Sequence, residues 1–117
     1  MYVESMAAAA ATLDMAFHAL ANPTRRAVIA RLNHGPATVT QLAEPFDMAL
    51  PSFLQHLRVL EKSGLVESRK RGRVRTFRGR PDRLEHASDW LAEQRDLWES
   101  RLDQLDTYLK TMENDDA

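Results

Sequence analysis

Leu50-Pro-Ser-Phe-Leu-Gln-His-Leu-Arg-Val-Leu-Glu-Lys-Ser-Gly-Leu-Val66-Glu-Ser-Arg-Lys-Arg-Gly-Arg-Val-Arg-Thr-Phe-Arg-Gly-Arg-Pro-Asp-Arg83 carries two signals in immediate succession. The first half places Phe53, Leu57 and Leu60 at helical spacing and stops at Gly64, which predicts a helix from Leu50 to Ser63 with one apolar face. From Ser68 to Arg83 there are basic residues at 69, 70, 71, 73, 75, 78, 80 and 83 against a single acid, Asp82: eight positive charges to one negative, net +7, and half of the Lys and Arg in the chain. Gly72, set between alternating charged and uncharged residues, is suited to the turn of a β-hairpin. A basic run alone is usually a solvated face; its position directly after a strongly patterned helix gives it another use.

Working outward, an Ala-rich segment at 7–21 puts Leu13, Phe17 and Leu20 on one helical face and ends at Asn22-Pro23. Asn22 has the chemistry of an N-cap and Pro23 suits the first position of a second helix, which runs through Leu32 with Val28, Ile29 and Leu32 inward and Arg25, Arg26 and Arg31 largely outward. His34-Gly35-Pro36 ends it. Thr38 can cap a short third helix at 39–44, and Pro45-Phe46-Asp47 breaks that one. Pro81 opens a long last helix, expected at 81–112. The expected architecture is therefore mainly α with one small β-hairpin: a single winged helix-turn-helix domain, with the helix-turn-helix at 38–63 and the wing at 65–79.

Such a fold inserts its second helix into a DNA major groove about 12 Å wide. With Phe53, Leu57 and Leu60 buried, the wheel leaves Ser52, Gln55, His56, Arg58, Val59 and Lys62 on or near the free side. Gln55 can pair with adenine, Ser52 can donate or accept, His56 can reach phosphate or base, and Arg58 and Lys62 can hold phosphates. Arg69, Arg71, Arg73 and Arg75 on the wing are the candidate backbone contacts. Leu50 and Leu54 fit either the core, the commoner fate of leucine at this spacing, or contact with thymine methyl groups.

With 16 basic and 17 acidic residues the formal charge is −1, which by itself argues against a polyanionic partner. The distribution reverses that reading: Leu84 to Ala117 has three basic residues against ten acids, net −7, opposite in sign to the wing. The 117 residues contain no cysteine, so disulfides, thiolate ligands and thiol redox sensing are excluded. Ala7 to Ala11 lacks a preceding basic segment and is soon followed by Asp14, so it reads as a helix of a cytoplasmic protein with no membrane partner. Neither a nucleophile with its base, nor a paired-carboxylate pocket, nor a phosphate-binding glycine loop can be assembled, so an enzyme is not expected and no cofactor is called for.

The last helix predicts a homodimer. Leu91, Trp98, Leu105 and Met112 recur every seven residues, with Leu102 and Leu109 interleaved, in the spacing of a coiled-coil-like seam widened by Trp90 and Tyr108. Helices of about ten residues elsewhere in the chain are too short to cover it. The alternative, packing on the first helix, merges with this reading if Leu13 and Phe17 join the same interface.

The stretch Leu42 to Val66, with His56-Leu57-x-x-Leu60-x-x-x-Gly64-Leu65-Val66 followed by the basic wing, resembles the helix-turn-helix of ArsR-family bacterial transcriptional repressors. Asn22-Pro23-Thr24-Arg25-Arg26 fits as well, and Arg71-Gly72-Arg73 with Trp90-Leu91-Ala92-Glu93-Gln94-Arg95, Trp98-Glu99 and Arg101-Leu102-Asp103 resembles a metal-independent branch of that family. The resemblance spans roughly residues 13–112 and implies a homodimeric repressor on double-stranded DNA, with any small-molecule effector unknown. Two departures stand out. Where many members begin the recognition helix Ser-Gln-Pro this chain has Ala49-Leu50-Pro51, and Leu54 replaces a commonly polar residue. The family's Cys-x-Cys-Asp metal site is matched by Thr38, Val39, Thr40 and Gln41, and His86 is the only histidine after His56, so no metal is expected. His18 and His34 are isolated, and the acids at 113–116 read as a frayed tail. The competing class is a protein-interaction module or anti-activator on the same scaffold, which would show no salt-dependent DNA binding.

Overall fold

The computed structural model describes residues 2–115; Asp116 of the acidic run lies outside them. In chain order the elements are α1 (Tyr2–Leu20), α2 (Pro23–Leu32), β1 (Ala37–Thr38), α3 (Val39–Ala43), α4 (Leu50–Lys62), β2 (Val66–Arg71), β3 (Val74–Gly79) and α5 (Pro81–Asp115). The five helices and the hairpin follow the sequence pattern, although α1 starts earlier than residue 7 and α5 runs past residue 112. The described residues fall into two compact units that divide after Ala87.

Local chemistry sets most of the boundaries. The Asn22 side chain accepts from the Arg25 backbone N–H at 3.1 Å, with Pro23 in the first turn of α2. Thr38 and Gln41 form a reciprocal capping box on α3: the Thr38 hydroxyl accepts from the Gln41 N–H at 3.3 Å, and the Gln41 side chain accepts from the Thr38 N–H at 2.9 Å. Ala49 stands at the N-cap of α4 without a side-chain bond, as a methyl group must. At the other end Gly64 takes φ +81°, a left-handed conformation that stops the helix and that a side chain would strain.

The hairpin joins Arg71 to Val74 through a two-residue turn. Gly72 has φ +62° and Arg73 does not have positive φ, the pattern of a type II′ turn whose twist matches that of paired strands. One strand exceeds expectation. Ala37–Thr38 pairs antiparallel with Phe77 and Thr76, so the sheet has three strands in the order β1-β3-β2 rather than two. A two-residue strand has no periodicity to read, and it forms because the edge of β3 offers backbone partners that would otherwise be left to water.

The core of the first unit gathers Val28 and Leu32 from α2, Leu42 from α3, Phe53, Leu57 and Leu60 from α4, and Leu65, Val66 and Phe77 around the sheet. Phe46 stacks at 5.4 Å on Phe53 and closes the α3–α4 turn. Among the described side chains of α1, Ala16 and Ala19 are buried, while Leu13, Phe17 and Leu20 are only half-buried. Small side chains bring the α1 backbone close to its neighbours, and the larger residues flank that contact.

Arg25 corrects an expectation. It is not outward but 9 % exposed, because α2 turns the face containing Arg25, Val28, Ile29 and Leu32 toward the core. In the second unit, which holds α5 from Ser88 on, the described side chains at 88–114 are exposed apart from half-buried Ala92 and Gln94.

Candidate nucleic-acid interface

Helix α4 separates its two faces cleanly. Phe53, Leu57 and Leu60 are buried, and Ser52, Gln55, Arg58 and Lys62 are exposed. Two residues depart from the expected division. Val59, expected near the free side, packs with Leu54 against the core cluster, which settles the packing role of Leu54. Leu50 does not pack: it is 53 % exposed, because it opens the helix one turn outside the core. An exposed leucine at the leading end of the helix remains accessible to a thymine methyl group.

His56 is half-buried, at the boundary between the two faces. Its Nδ1 lies 3.1 Å from Arg25 Nη1. The same guanidinium donates from Nε to the Ala19 carbonyl at 2.7 Å and from Nη2 to the His18 carbonyl at 3.0 Å. Arg26 adds a bond to the Leu20 carbonyl at 2.9 Å. The last carbonyls of α1, which carry the negative end of the helix dipole and of which that of His18 also accepts from the Ala21 N–H at 3.3 Å, are thus closed by two cations.

On the hairpin, strand register decides which cations remain available. Residues directly opposite share a face, so Glu67 and Arg78 are paired partners and form an ion pair. Arg80 lies 3.9 Å from Glu67 and 3.1 Å from Asp82. Arg75 donates to the Ser68 hydroxyl at 2.7 Å, and that hydroxyl in turn donates to Glu61 on α4, tying the wing to the helix before it. Among the described residues Arg69, Lys70, Arg71 and Arg73 have no acidic partner, and all four are exposed.

Arg69 and Arg71 share one face of the ribbon with Thr76 and Val74; Lys70 and Arg75 share the other, and Arg73 occupies the turn. The structure thus brings the predicted residues into two groups, Ser52, Gln55, Arg58 and Lys62 on α4 and Arg69, Arg71 and Arg73 on the wing. It holds Arg75 and His56 in intramolecular bonds. Lys70 is an addition; its alternation with Arg69 and Arg71 in an exposed strand was the signal for it. No three His, Asp or Glu side chains among the described residues converge as a metal site, and no helix is long and apolar enough to cross a membrane.

The profile of a helix-turn-helix domain family matches residues 20–69, from the end of α1 through the first half of the wing. A crystal structure of an ArsR family transcriptional regulator superposes with a TM-score of 0.73 at 55 % identity, covering 76 % of this chain and 92 % of that one. The transcriptional regulator Rv2034 of Mycobacterium tuberculosis is 42 % identical over 71 residues, 61 % of this chain and 66 % of the relative. The solution structure of a homodimeric winged helix-turn-helix DNA-binding domain, Mb0332 of Mycobacterium bovis, is similar at 25 % identity with a TM-score of 0.58, covering 80 % of this chain and 86 % of that one.

Proposed function

The chain belongs to the ArsR family of winged helix-turn-helix transcriptional regulators, and from that membership we propose that it is a sequence-specific repressor, a homodimer that occupies a palindromic operator and takes no metal as its signal. The observation that carries this reading is the juxtaposition of one exposed polar helix face with four cations that have no acidic partner among the described residues, on the hairpin that follows it. Ser52 and Gln55 read base edges in the major groove, with Leu50 against a thymine methyl. Arg58 and Lys62 hold phosphates as the helix leaves the groove, and Arg69, Lys70, Arg71 and Arg73 engage the backbone beside it. Arg75, braced by Ser68, is a further wing arginine in reach of the backbone.

Dimerisation rests on α5. Leu91, Trp98, Leu102, Leu105 and Leu109 are each more than half exposed in the single chain, far too much apolar surface for a helix that stays in water. Pairing two copies along this seam, with Leu13 and Phe17 of α1 in the same interface, buries it; the relative from Mycobacterium bovis is a homodimer. Two-fold symmetry then sets the recognition helices about 34 Å apart, one turn of DNA, so that each reads one half of a palindrome. A dimer bound in this way represses by occupying DNA that the transcription machinery needs. The absence of cysteine leaves no thiolate with which to sense a soft metal.

Footprinting the purified protein on the DNA upstream of its own gene tests the proposal. Protection of a two-fold symmetric site with half-sites one helical turn apart is expected. The absence of any salt-dependent DNA binding would reject it in favour of a protein-interaction module.

A further inference from the structure

Arg25 is a buried cation without an acidic partner among the described residues. Its charge is balanced instead by the carbonyls of His18 and Ala19 at the end of α1 and by the ring of His56 on α4. These three bonds spend one donor from each guanidinium nitrogen, and no buried side-chain nitrogen or oxygen among the described residues lacks a partner. An arginine side chain has five N–H donors and no acceptor. The bond between Arg25 Nη1 and His56 Nδ1 therefore exists only when Nδ1 offers its lone pair, and a neutral imidazole with Nδ1 as acceptor carries its single proton on Nε2.

We propose that Arg25 is a positioning residue that fixes His56 as the Nε2–H tautomer and so makes its ring a hydrogen-bond donor to a DNA phosphate. The proposal rests on the DNA-binding reading above and adds to it a rule for one of its contacts. His56 lies at the edge of the polar face of α4, beside Arg25, whereas Ser52 and Gln55 are exposed. The edge of a helix lying in the major groove meets the sugar-phosphate walls, where only acceptors are found, so a donor is the useful tautomer there. An imidazole free in solution distributes its proton between the two nitrogens and its ring between rotamers; Arg25 removes both freedoms before DNA arrives. Because the same guanidinium closes the C-terminus of α1, the orientation of that ring is tied to three elements: α1, α2 and α4. The sequence pattern behind the arrangement is compact. Asn22 and Pro23 fix the first turn of α2, and Arg25, three residues after the cap, is thereby carried inward between the end of α1 and the side of α4.

Nitrogen NMR on protein labelled at histidine tests the first half without DNA. Long-range proton–nitrogen spectra of the wild-type chain at neutral pH should show His56 as the Nε2–H tautomer, with His18, His34 and His86 as internal references. In Arg25→Lys, which keeps the charge but loses the planar fork, the His56 signals should move toward the mixed pattern of a free imidazole. A wild-type His56 found as Nδ1–H, or as imidazolium, overturns the proposal whether or not any variant folds.

The second half is read by titrating an operator duplex. Asn at position 56 retains an acceptor near the place of Nδ1 but has no donor at Nε2, so His56→Asn should lose affinity by about tenfold per half-site, the size of one hydrogen bond to a charged group, and by about a hundredfold for a dimer on both half-sites. His56→Gln, whose amide reaches the Nε2 position, should recover part of it. Arg25→Lys should cost little more once His56 is already Asn, because both changes remove one contact. Additive losses in the double variant would reduce Arg25 to a structural role and overturn the proposal. If wild-type protein binds no duplex while His56 has the expected tautomer, the DNA-binding reading has failed and the phosphate contact fails with it; the Arg25–His56 pairing itself would stand.

Discussion

Replacing Arg71 with Ala should flatten the salt dependence of DNA binding, whereas replacing Arg78 should leave it nearly unchanged. Both are exposed arginines on the same hairpin, and their difference lies in the register. Arg71 stands opposite Val74 beside the turn, with no acidic partner among the described residues, whereas Arg78 stands opposite Glu67 and is ion-paired to it. A cation that neutralises a phosphate releases condensed counterions and contributes about 0.9 to the slope of log affinity against log salt. A guanidinium already neutralised by a carboxylate on its own ribbon contributes little, and Glu67 retains Arg80 when Arg78 is removed. In a homodimer Arg71→Ala should therefore lower the slope by about 1.8, and the defect should be about twelvefold larger at 50 mM salt than at 200 mM. By the same reckoning Arg69, Lys70, Arg71 and Arg73 together contribute a slope of about 7 per dimer. Fluorescence anisotropy of a labelled duplex, titrated at four salt concentrations on operator and scrambled sequence, measures this directly. Parallel slopes for wild type and Arg71→Ala, or equal flattening by Arg78→Ala, would refute the assignment of these cations.

Gln55→Ala should cost about 1–3 kcal/mol on the operator and much less on random DNA; equal losses on both would make Gln55 an orienting contact rather than a base reader. Leu102→Asp combined with Leu105→Asp should convert dimer to monomer in sedimentation, since each leucine contributes about 1.5–3 kcal/mol when buried and acts twice. Operator affinity should then fall by about a hundredfold through lost bivalency, and a monomer binding at native strength would break the link between seam and operator. Operator binding should be indifferent to chelators, zinc, arsenite and thiol oxidants; release by submicromolar zinc would point to histidine and carboxylate ligands instead. Phe53→Ala, at a fully buried side chain that also stacks on Phe46, should lower stability by about 3–5 kcal/mol in urea unfolding.

The parts of this fold that could be read in advance are those fixed by local chemistry. Asn22-Pro23, Thr38, Gly64 and Gly72 each act within a few residues of themselves, so their caps and turns needed no knowledge of the rest of the chain. Strand β1 could not be read, because its two residues gain their partner from a segment nearly forty positions away. The burial of Arg25 was concealed for a different reason. Its spacing to Val28, Ile29 and Leu32 is that of one helical face, and its charge masked a position that the wheel alone marks as inward. Leu50 is the converse: it shares the wheel face of Phe53 and Leu57 but lies beyond the end of the core, and periodicity carries no information about where a core stops. The division of the wing into paired and available cations was latent in the turn. Once Gly72-Arg73 is a two-residue connection, Glu67 must face Arg78, and the one acid on the ribbon is already committed.

Net charge is a poor guide to partners in this chain because its two largest contributions are opposite and separated along the sequence. The segment from 68 to 83 carries +7 and the segment from 84 to 117 carries −7, so the total of −1 describes neither. Phosphates attract the first and repel the second, which favours approach by α4 and the hairpin over approach by the acidic helix. The acids on α5 lie among the exposed leucines and Trp98 rather than in place of them, leaving the seven-residue spacing of the seam intact. In the proposed dimer their charge would keep that helix in water until a second copy covers the apolar stripe, and it discourages the same stripe from settling on nucleic acid. On that proposal one helix serves dimerisation while limiting nonspecific contact, and the cationic ribbon is left as the element through which ionic strength acts on binding.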